Sequence, residues 1–494
     1  MVRSLLKNYL YIHFKVHLSH FIKILSVILS TQVLCFAQSE NLFRTYVYNE
    51  PSHLDSHLLK TTSSNHLLSQ LYRNLLRLNK DGELIPELAS KCRQKGTLIE
   101  CQLKSNIQWN NGTPITSEDF LRAYEFILTD PESLRPDLLF PIKNAEEIFQ
   151  KKKVFSTIGI HVQKNKIIFQ LKTENSDFIY HLANMILSPK AKDRQLYSGP
   201  YELETWNKGK NILLKPNHYF WHSKKRPRLE FKFINDDSIA LNLYEKNQLD
   251  MVRRLPTFLI ANMKTRKDYF EYPLTRFDFL AFNSKLQQNR NLRAAVAQGL
   301  DFPELQRLYS SKGLPGCASL PPRFFINEQT PCLRMDLKNA KLALSQVAKS
   351  ELNNLTYGYS SLGGEDIRRS AEWIQIQMKK NLHLDIQPIG FENKIFLQKS
   401  MDGEFSLYHK GVPVEIPTCA EALKQSQIKD ERTQKAISRL LKSRQKTAQQ
   451  KICTETIKEI LKDFRIIPTG HYDYSTLIRP GFDFEVNELN QLYF

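Results

Sequence analysis

The chain has 494 residues, 41 % of them apolar, enough for about two or three lobes with cores of their own, which excludes a disordered chain. It carries 70 basic and 51 acidic residues for a formal charge of +19, a field that favours anionic partners; a solubilising surface is the plainer reading. The densest basic patch is Lys224, Lys225, Arg226 and Arg228. No homeodomain, zinc-finger or RNA-recognition pattern accompanies it, so no nucleic-acid partner is expected.

The N-terminus reads as an export signal. Arg3, Lys7, Lys15 and Lys23 precede an apolar run from Ile24 to Leu34, which ends in Cys35-Phe36-Ala37. That run is too short to span a bilayer, which needs about 20 apolar residues. Residues 1–37 are therefore expected to be a signal peptide. Cys35 opens a second reading, a lipid-anchored cysteine, although the preceding Gln32-Val33-Leu34 lacks the small residue such a site needs.

Past the signal, strand-like and helix-like runs interleave. Thr45-Tyr46-Val47-Tyr48 is β-branched and aromatic and predicts a strand. Leu71, Leu75 and Leu78 stand at helical spacing and predict a helix over 69–78. A hairpin is expected over 88–104. Thr116-x-x-Asp119 resembles a capping box before the amphipathic Phe120, Tyr124, Ile127 and Leu128. Two strands are expected in 154–172, and more in 200–215 and 228–235. Asn291 is expected to cap a helix through Leu292, Ala295 and Val296, and Asp301-x-x-Glu304 another. Leu337, Ala340, Leu344 and Val347 predict a helix, as do Ile367, Ala371, Ile374 and Met378, the latter leading into a strand at 384–386. Basic helices fill 433–464 and end at Ile466-Ile467-Pro468. The mixture predicts an α/β or α+β fold.

Beyond Cys35 there are six cysteines: Cys92, Cys101, Cys317, Cys332, Cys419 and Cys453. An even number in an oxidising compartment permits three bridges, and unpaired buried thiols are the other reading. Cys92 and Cys101 flank the turn-like Gln94-Lys95-Gly96-Thr97 and would sit close across a hairpin. His218 and His222 have an i, i+4 spacing, but the intervening turn residues argue against a metal site. Neither Gly-x-Ser-x-Gly nor His-Glu-x-x-His occurs, and Ser360 reads as a helix cap, so an enzyme is not expected.

Several of these segments together resemble the large peptide-type solute-binding proteins, the receptors of oligopeptide, dipeptide and nickel importers. Glu50 to His57 (EPSHLDSH) resembles the family's opening strand and turn, and Leu75 to Ala89 (LLRLNKDGELIPELA) its next segment. Trp109 to Phe120 (WNNGTPITSEDF) is the most specific match. Gly199-Pro200-Tyr201, Asn217-His218-Tyr219-Phe220-Trp221, Ala281-Phe282-Asn283 with Asn291 to Ala295, tandem Pro321-Pro322 and the closing Ile467-Pro468 follow in order. The resemblance spans residues 44–494. Its aromatics Trp109, Tyr201, Tyr219 and Trp221 read as lobe packing more than as ligand contacts.

The resemblance implies an α/β, bilobal periplasmic-binding-protein fold of the large three-domain type, with hinge-linked lobes. Lobe I would comprise 38–72, 190–273 and 479–494; 73–189 would be an inserted domain II and 274–478 lobe III. It further implies a periplasmic monomer without cofactor that closes on a peptide ligand and delivers it to an ABC permease and its ATPase subunits at the inner membrane. In oligopeptide-binding relatives the ligand adds as an extended strand. The stretch that would receive it here is Gly411-Val412-Pro413-Val414-Glu415-Ile416-Pro417, with Glu415 where the family has an Asp for the ligand's amino terminus. Ser400 and His409 stand where oligopeptide binders place Arg, and Lys60-Thr61-Thr62 would face the ligand after the opening turn. Thr61, Thr62, His409, Gly411, Pro413, Val414 and Glu415 are the expected binding residues. Lys60, Lys399 and Lys410 would favour acidic cargo, unless they are ordinary surface lysines. The same scaffold with a metal chelate, haem or a sugar as cargo is the alternative, with a secreted hydrolase or an adhesion factor behind it.

Overall fold

A computed structural model of the chain describes residues 41–58, 64–192, 196–222, 224–273, 276–309, 315–317, 320, 322–361, 364–414, 416–426, 428, 430–470, 473–487, 489 and 491–494. The export segment 1–37 and Cys35 lie outside them. β1 (Leu42–Val47) opens the described chain with Phe43, Tyr46 and Val47 buried. α1 (Asn65–Leu71) follows, and here the expected helix over 69–78 is corrected. Tyr72 turns extended (φ −127°, ψ 147°), and Leu76–Leu78 is β2, paired antiparallel with β3 (Leu84–Pro86). Leu71, Leu75 and Leu78 are all buried, but one belongs to a helix and one to a strand, so their helical spacing is a coincidence of two elements.

The expected hairpin forms from β4 (Ala89–Lys95) and β5 (Leu98–Leu103), with Cys92 opposite Cys101 in the ladder and a disulfide between them. α2 (Ser117–Thr129) starts where the capping pair placed it: the Thr116 N–H donates to Asp119 Oδ2 over 2.9 Å, and Phe120, Tyr124, Ile127 and Leu128 enter the core. β6 (Ile160–Gln163) and β7 (Lys166–Gln170) complete a four-stranded sheet of order β4-β5-β7-β6. Asn111-Gly112 turns in the left-handed region, with Gly112 at φ +84° lying directly on the Tyr219 ring. The two aromatic-rich motifs are thereby packed on each other.

β8 (Tyr201–Asn207), β9 (Asn211–Pro216) and β10 (Arg228–Phe233) join β1 in a second sheet, order β1-β10-β9-β8, with β1 parallel to β10. α3 (Asp237–Glu245) is capped by Asp236, whose side chain accepts from the Ile239 N–H, and leads to β11 (Met251–Val252) and β12 (Tyr269–Pro273).

β13 (Arg276–Phe282) begins a different sheet. The cap of α4 (Arg290–Gln298) is Asn289, not Asn291: the Asn289 side chain accepts from the Leu292 N–H at 3.0 Å. α5 (Phe302–Tyr309), α6 (Leu337–Ser345) and α7 (Gly364–Leu382) match the remaining periodic segments; β15 (Ile386–Phe391) begins where the strand expected at 384–386 ends, and β14 (Leu355–Ser360) and α8 (Asn393–Met401) were not expected. β16 (Leu407–Pro413), α9 (Cys419–Gln425), α10 (Glu431–Lys442), α11 (Lys446–Lys462), β17 (Ile467–Gly470) and β18 (Asp473–Ile478) follow. The five-stranded sheet has the order β15-β14-β16-β13-β17 and is covered on both faces. Leu280, Phe282, Tyr357 and Leu407 pack on α4 and α7, while Phe279, Ala281 and Val414 pack on α9, α10 and α11. Cys419–Cys453 ties α9 to α11, and Cys317–Cys332 makes the third bridge, so all six cysteines are paired. Among the described residues no helix is long and apolar enough to cross a membrane.

Candidate functional site

The chain passes twice between the sheet that holds β11 and the sheet that holds β13. β12 is followed in sequence by β13, and β17 by β18. β12 pairs antiparallel with β18, from Tyr269 opposite Leu477 to Pro273 opposite Asp473, while β13 pairs antiparallel with β17. Paired strands thus flank the two passages on either side, with the Tyr272 and Tyr474 rings stacked at 5.5 Å and 14° on one side. Two chain passages that join separately paired sheets are the geometry of a hinge.

β16 ends at this crossing. It pairs with β13 along its whole length, from Leu407 opposite Phe282 to Pro413 opposite Arg276. On its other side it pairs with β14 only at Leu407 and Tyr408. Between His409 and Pro413 that second edge therefore has no strand partner among the described residues, and its peptide groups are placed to receive another extended chain.

The two faces of this open stretch differ. On one, Asp278 lies opposite Gly411, with its carboxylate wholly buried and its Oδ2 2.6 Å from Arg276 Nε. His409 Nε2 lies 3.2 Å from Asp278 Oδ1. Burial pushes the Asp278 carboxyl upward, but the Arg276 charge and then His409 outweigh it and hold the group below the usual carboxylate range. Gly411 lies against the ion pair: a Cβ there would press on the Arg276 guanidinium and Asp278 Oδ1, and the pair would have to shift to admit it. On the other face, Lys410 lies opposite Phe279, with its ammonium 5.9 Å from the ring centroid.

Beyond β16 the chain reaches across to the sheet of β4–β7. Val414 is buried against α9–α11, and Ile416 is buried in the core that contains Leu75, Trp109 and Phe178. The Thr418 hydroxyl, at the start of α9, donates to Asp177 Oδ2 over 2.5 Å. Burial raises the Asp177 carboxyl above its ordinary value despite that bond. Close by, the Ser176 N–H donates to the Leu441 carbonyl at 2.7 Å, and Arg444 pairs with Glu174 at 2.6 Å. Val414, Ile416 and Thr418 therefore lie in the seam between two separately cored bodies.

Of the residues expected to bind, His409, Gly411, Pro413 and Val414 are brought together on β16 and its exit, while Glu415, Thr61, Thr62 and Lys60 lie outside the described residues. The His409 and Val414 side chains are both turned into packed surroundings. Lys399 pairs with Glu404, and the Ser400 hydroxyl donates to the Phe396 carbonyl at 2.8 Å. The opening motif serves the scaffold: Asp55 Oδ2 is 2.9 Å from Lys190 Nζ and Asp55 Oδ1 2.7 Å from His57 Nδ1. His57 and Lys190 hold the Asp55 carboxyl well below its ordinary range against the upward push of burial. Sequence reasoning missed Arg276, Asp278 and Asp177. The first two sit in Arg276-Phe277-Asp278-Phe279-Leu280, where strict alternation puts Asp278 on the same face as buried Leu280, and that was the available signal. Among the described residues no three His, Cys, Asp or Glu side chains come together as a metal cluster.

The model of bacterial extracellular solute-binding proteins, family 5, middle region, matches residues 83–424. The oligopeptide-binding protein OppA of Bacillus subtilis is 24% identical over 404 residues, covering 74% of this chain and 73% of that protein. The periplasmic murein peptide-binding protein MppA of Escherichia coli is 23% identical over 411 residues, covering 75% of this chain and 74% of that one. Among solved structures, the Escherichia coli murein tripeptide binding protein MppA superposes with a TM-score of 0.76 at 18% identity, covering 92% of this chain and 99% of that one. A periplasmic oligopeptide-binding protein from Borrelia burgdorferi superposes with a TM-score of 0.76 at 21% identity, covering 89% of this chain and 95% of that one. The fold is accordingly the α/β, hinge-linked bilobal one of these neighbours.

Proposed function

The chain belongs to the bacterial extracellular solute-binding proteins of family 5, and on that premise we propose that it is the periplasmic receptor of an ATP-driven importer, holding peptides between two lobes and delivering them unaltered to the permease and its ATPase subunits. The observation that carries the reading is the open edge of β16 from His409 to Pro413, set in the seam between the lobes beside the double strand crossing. A peptide laid there as an extra strand would satisfy its backbone by main-chain bonds, and affinity would depend little on its sequence. His409 and Val414 would then contribute main chain and not side chain. Glu415 would anchor the ligand's amino terminus through a charge-assisted bond.

The lobes would be 38–72 with 190–273 and 479–494, carrying 73–189 as an insert, and 274–478. The pairing of β18 with β11 and β12 favours moving the return crossing to between Gly470 and Asp473. Contacts such as Thr418 to Asp177 and Arg444 to Glu174 would then form on closure and break on opening.

Isothermal titration with random peptide pools is expected to give heat, and solution scattering a smaller radius with peptide than without. No heat with any pool would overturn the peptide reading. Peptide binding is expected to weaken about tenfold or more in Glu415→Gln, the loss of one charged hydrogen bond; unchanged affinity would remove that anchor.

A further inference from the structure

The open edge of β16 carries one charge that no described residue matches. Lys410 stands in the middle of the unpaired stretch, on the face opposite the Asp278 cluster. Its neighbour across the ladder, Phe279, is buried, and the ammonium lies over that ring at 5.9 Å. The described residues give it no carboxylate partner, and burial alone pulls it down to about 8. Other cations are differently placed: Lys399 has Glu404, and Arg276 has Asp278. A partly desolvated ammonium without a counter-charge is costly to keep, and the cost is relieved when an anion arrives beside it.

Strand geometry says where that anion would come from. Side chains of neighbouring strands that point to the same face approach to about 4.5–5.5 Å, within reach of an ion pair. An extended chain laid along His409–Pro413 would present every second side chain on the face of Lys410, with one of them beside it. Its alternate side chains would meet the face where Arg276 and His409 already share Asp278 and no charge is left over. The +19 formal charge of the chain draws ligands of the same sign as the missing partner.

From this we infer that Lys410 is a specificity-determining residue, which selects extended peptides carrying an Asp or Glu side chain at the position beside it on β16. The inference rests on the peptide-receptor reading and names the class of cargo within it. It requires an acid at one ligand position and is indifferent to acids at the positions before and after.

Calorimetry with alanine pentapeptides tests it, moving a single Glu along the peptide and comparing each with Gln at the same place. The wild-type protein is expected to bind the Glu form about tenfold more tightly than the Gln form at one position only. Lys410→Gln should abolish that preference, and Lys410→Glu should transfer it to Lys at the same position. The melting temperature of Lys410→Gln should be no lower than that of the wild type, since a desolvated charge has been removed. Equal binding of Glu and Gln forms everywhere by the wild type, or a preference that persists in Lys410→Gln, overturns the assignment while leaving the peptide reading in place. Binding of no peptide at all overturns both.

Discussion

Gly199→Ala is expected to lower the unfolding free energy by about 4 kcal/mol, more than an ordinary overpacked core site, for which about 1–3 kcal/mol is usual. Gly199 crosses the end of α1 in direct contact with its backbone: its N–H donates to the Leu71 carbonyl at 2.8 Å. A Cβ there would lie 2.3 Å from the Gln70 oxygen and 2.5 Å from the Leu71 carbonyl carbon. Both are main-chain atoms, so no side-chain rotation relieves the overlap. Moving α1 instead would strain the bonds by which the Ser69 hydroxyl, at 3.2 Å, and the Gln70 amide, at 2.5 Å, hold the Leu492 carbonyl. Each bond lost adds about 1 kcal/mol. Urea unfolding followed by circular dichroism would read the loss as a lower midpoint at constant slope. Gly209→Ala is the control: Gly209 is left-handed at φ +72° with nothing within 4 Å, so only the conformational cost of about 1–2 kcal/mol should appear. Equal losses in the two variants would mean that the Gly199 crossing is loose.

Gly199-Pro200-Tyr201 was legible in the sequence as a motif, but its physical reason was not, because the atoms that forbid a Cβ come from α1. The same division runs through the molecule. The α2 cap at Thr116 and the hairpin with Cys92 and Cys101 are settled by residues close in sequence, and both were readable. Leu71, Leu75 and Leu78 misled because periodicity cannot see a helix give way to a strand within one apolar run, the change being dictated by pairing with Leu84–Pro86. Asn291 drew the cap that belongs to Asn289, an offset of the size that local signals leave open. The pairings of Cys317 with Cys332 and Cys419 with Cys453 follow from tertiary packing and stayed open. At the candidate site, β16 was found by resemblance. Its open edge depends on how far β14 runs alongside it, and the hinge on strands brought together from distant parts of the chain. Neither leaves a trace in local sequence.

Asp278→Asn is expected to cost about 3 kcal/mol at pH 7. Removing one partner of a buried pair typically costs about 3–5 kcal/mol, and the lower end applies because the Arg276 side chain is 33% exposed and can turn to water. The pH dependence distinguishes a lost charge from lost packing. The folded Asp278 carboxyl lies below its unfolded value, so its contribution is complete above the unfolded carboxylate pKa of about 4 and disappears as pH falls through the folded value. The gap between wild type and Asp278→Asn should therefore close steadily as pH falls below about 4. Asp268, held down at about 2 by its bond from Arg266, keeps its carboxylate in both proteins and cancels from the difference. The Asn variant should also bind peptides more weakly, its β16 edge being less firmly held once the pair with Arg276 is lost. Urea unfolding at a series of pH values measures the gap. A gap that widens in acid would mean that burial wins over Arg276 and His409, so that the folded protein carries Asp278 protonated and the cluster is not an ion pair.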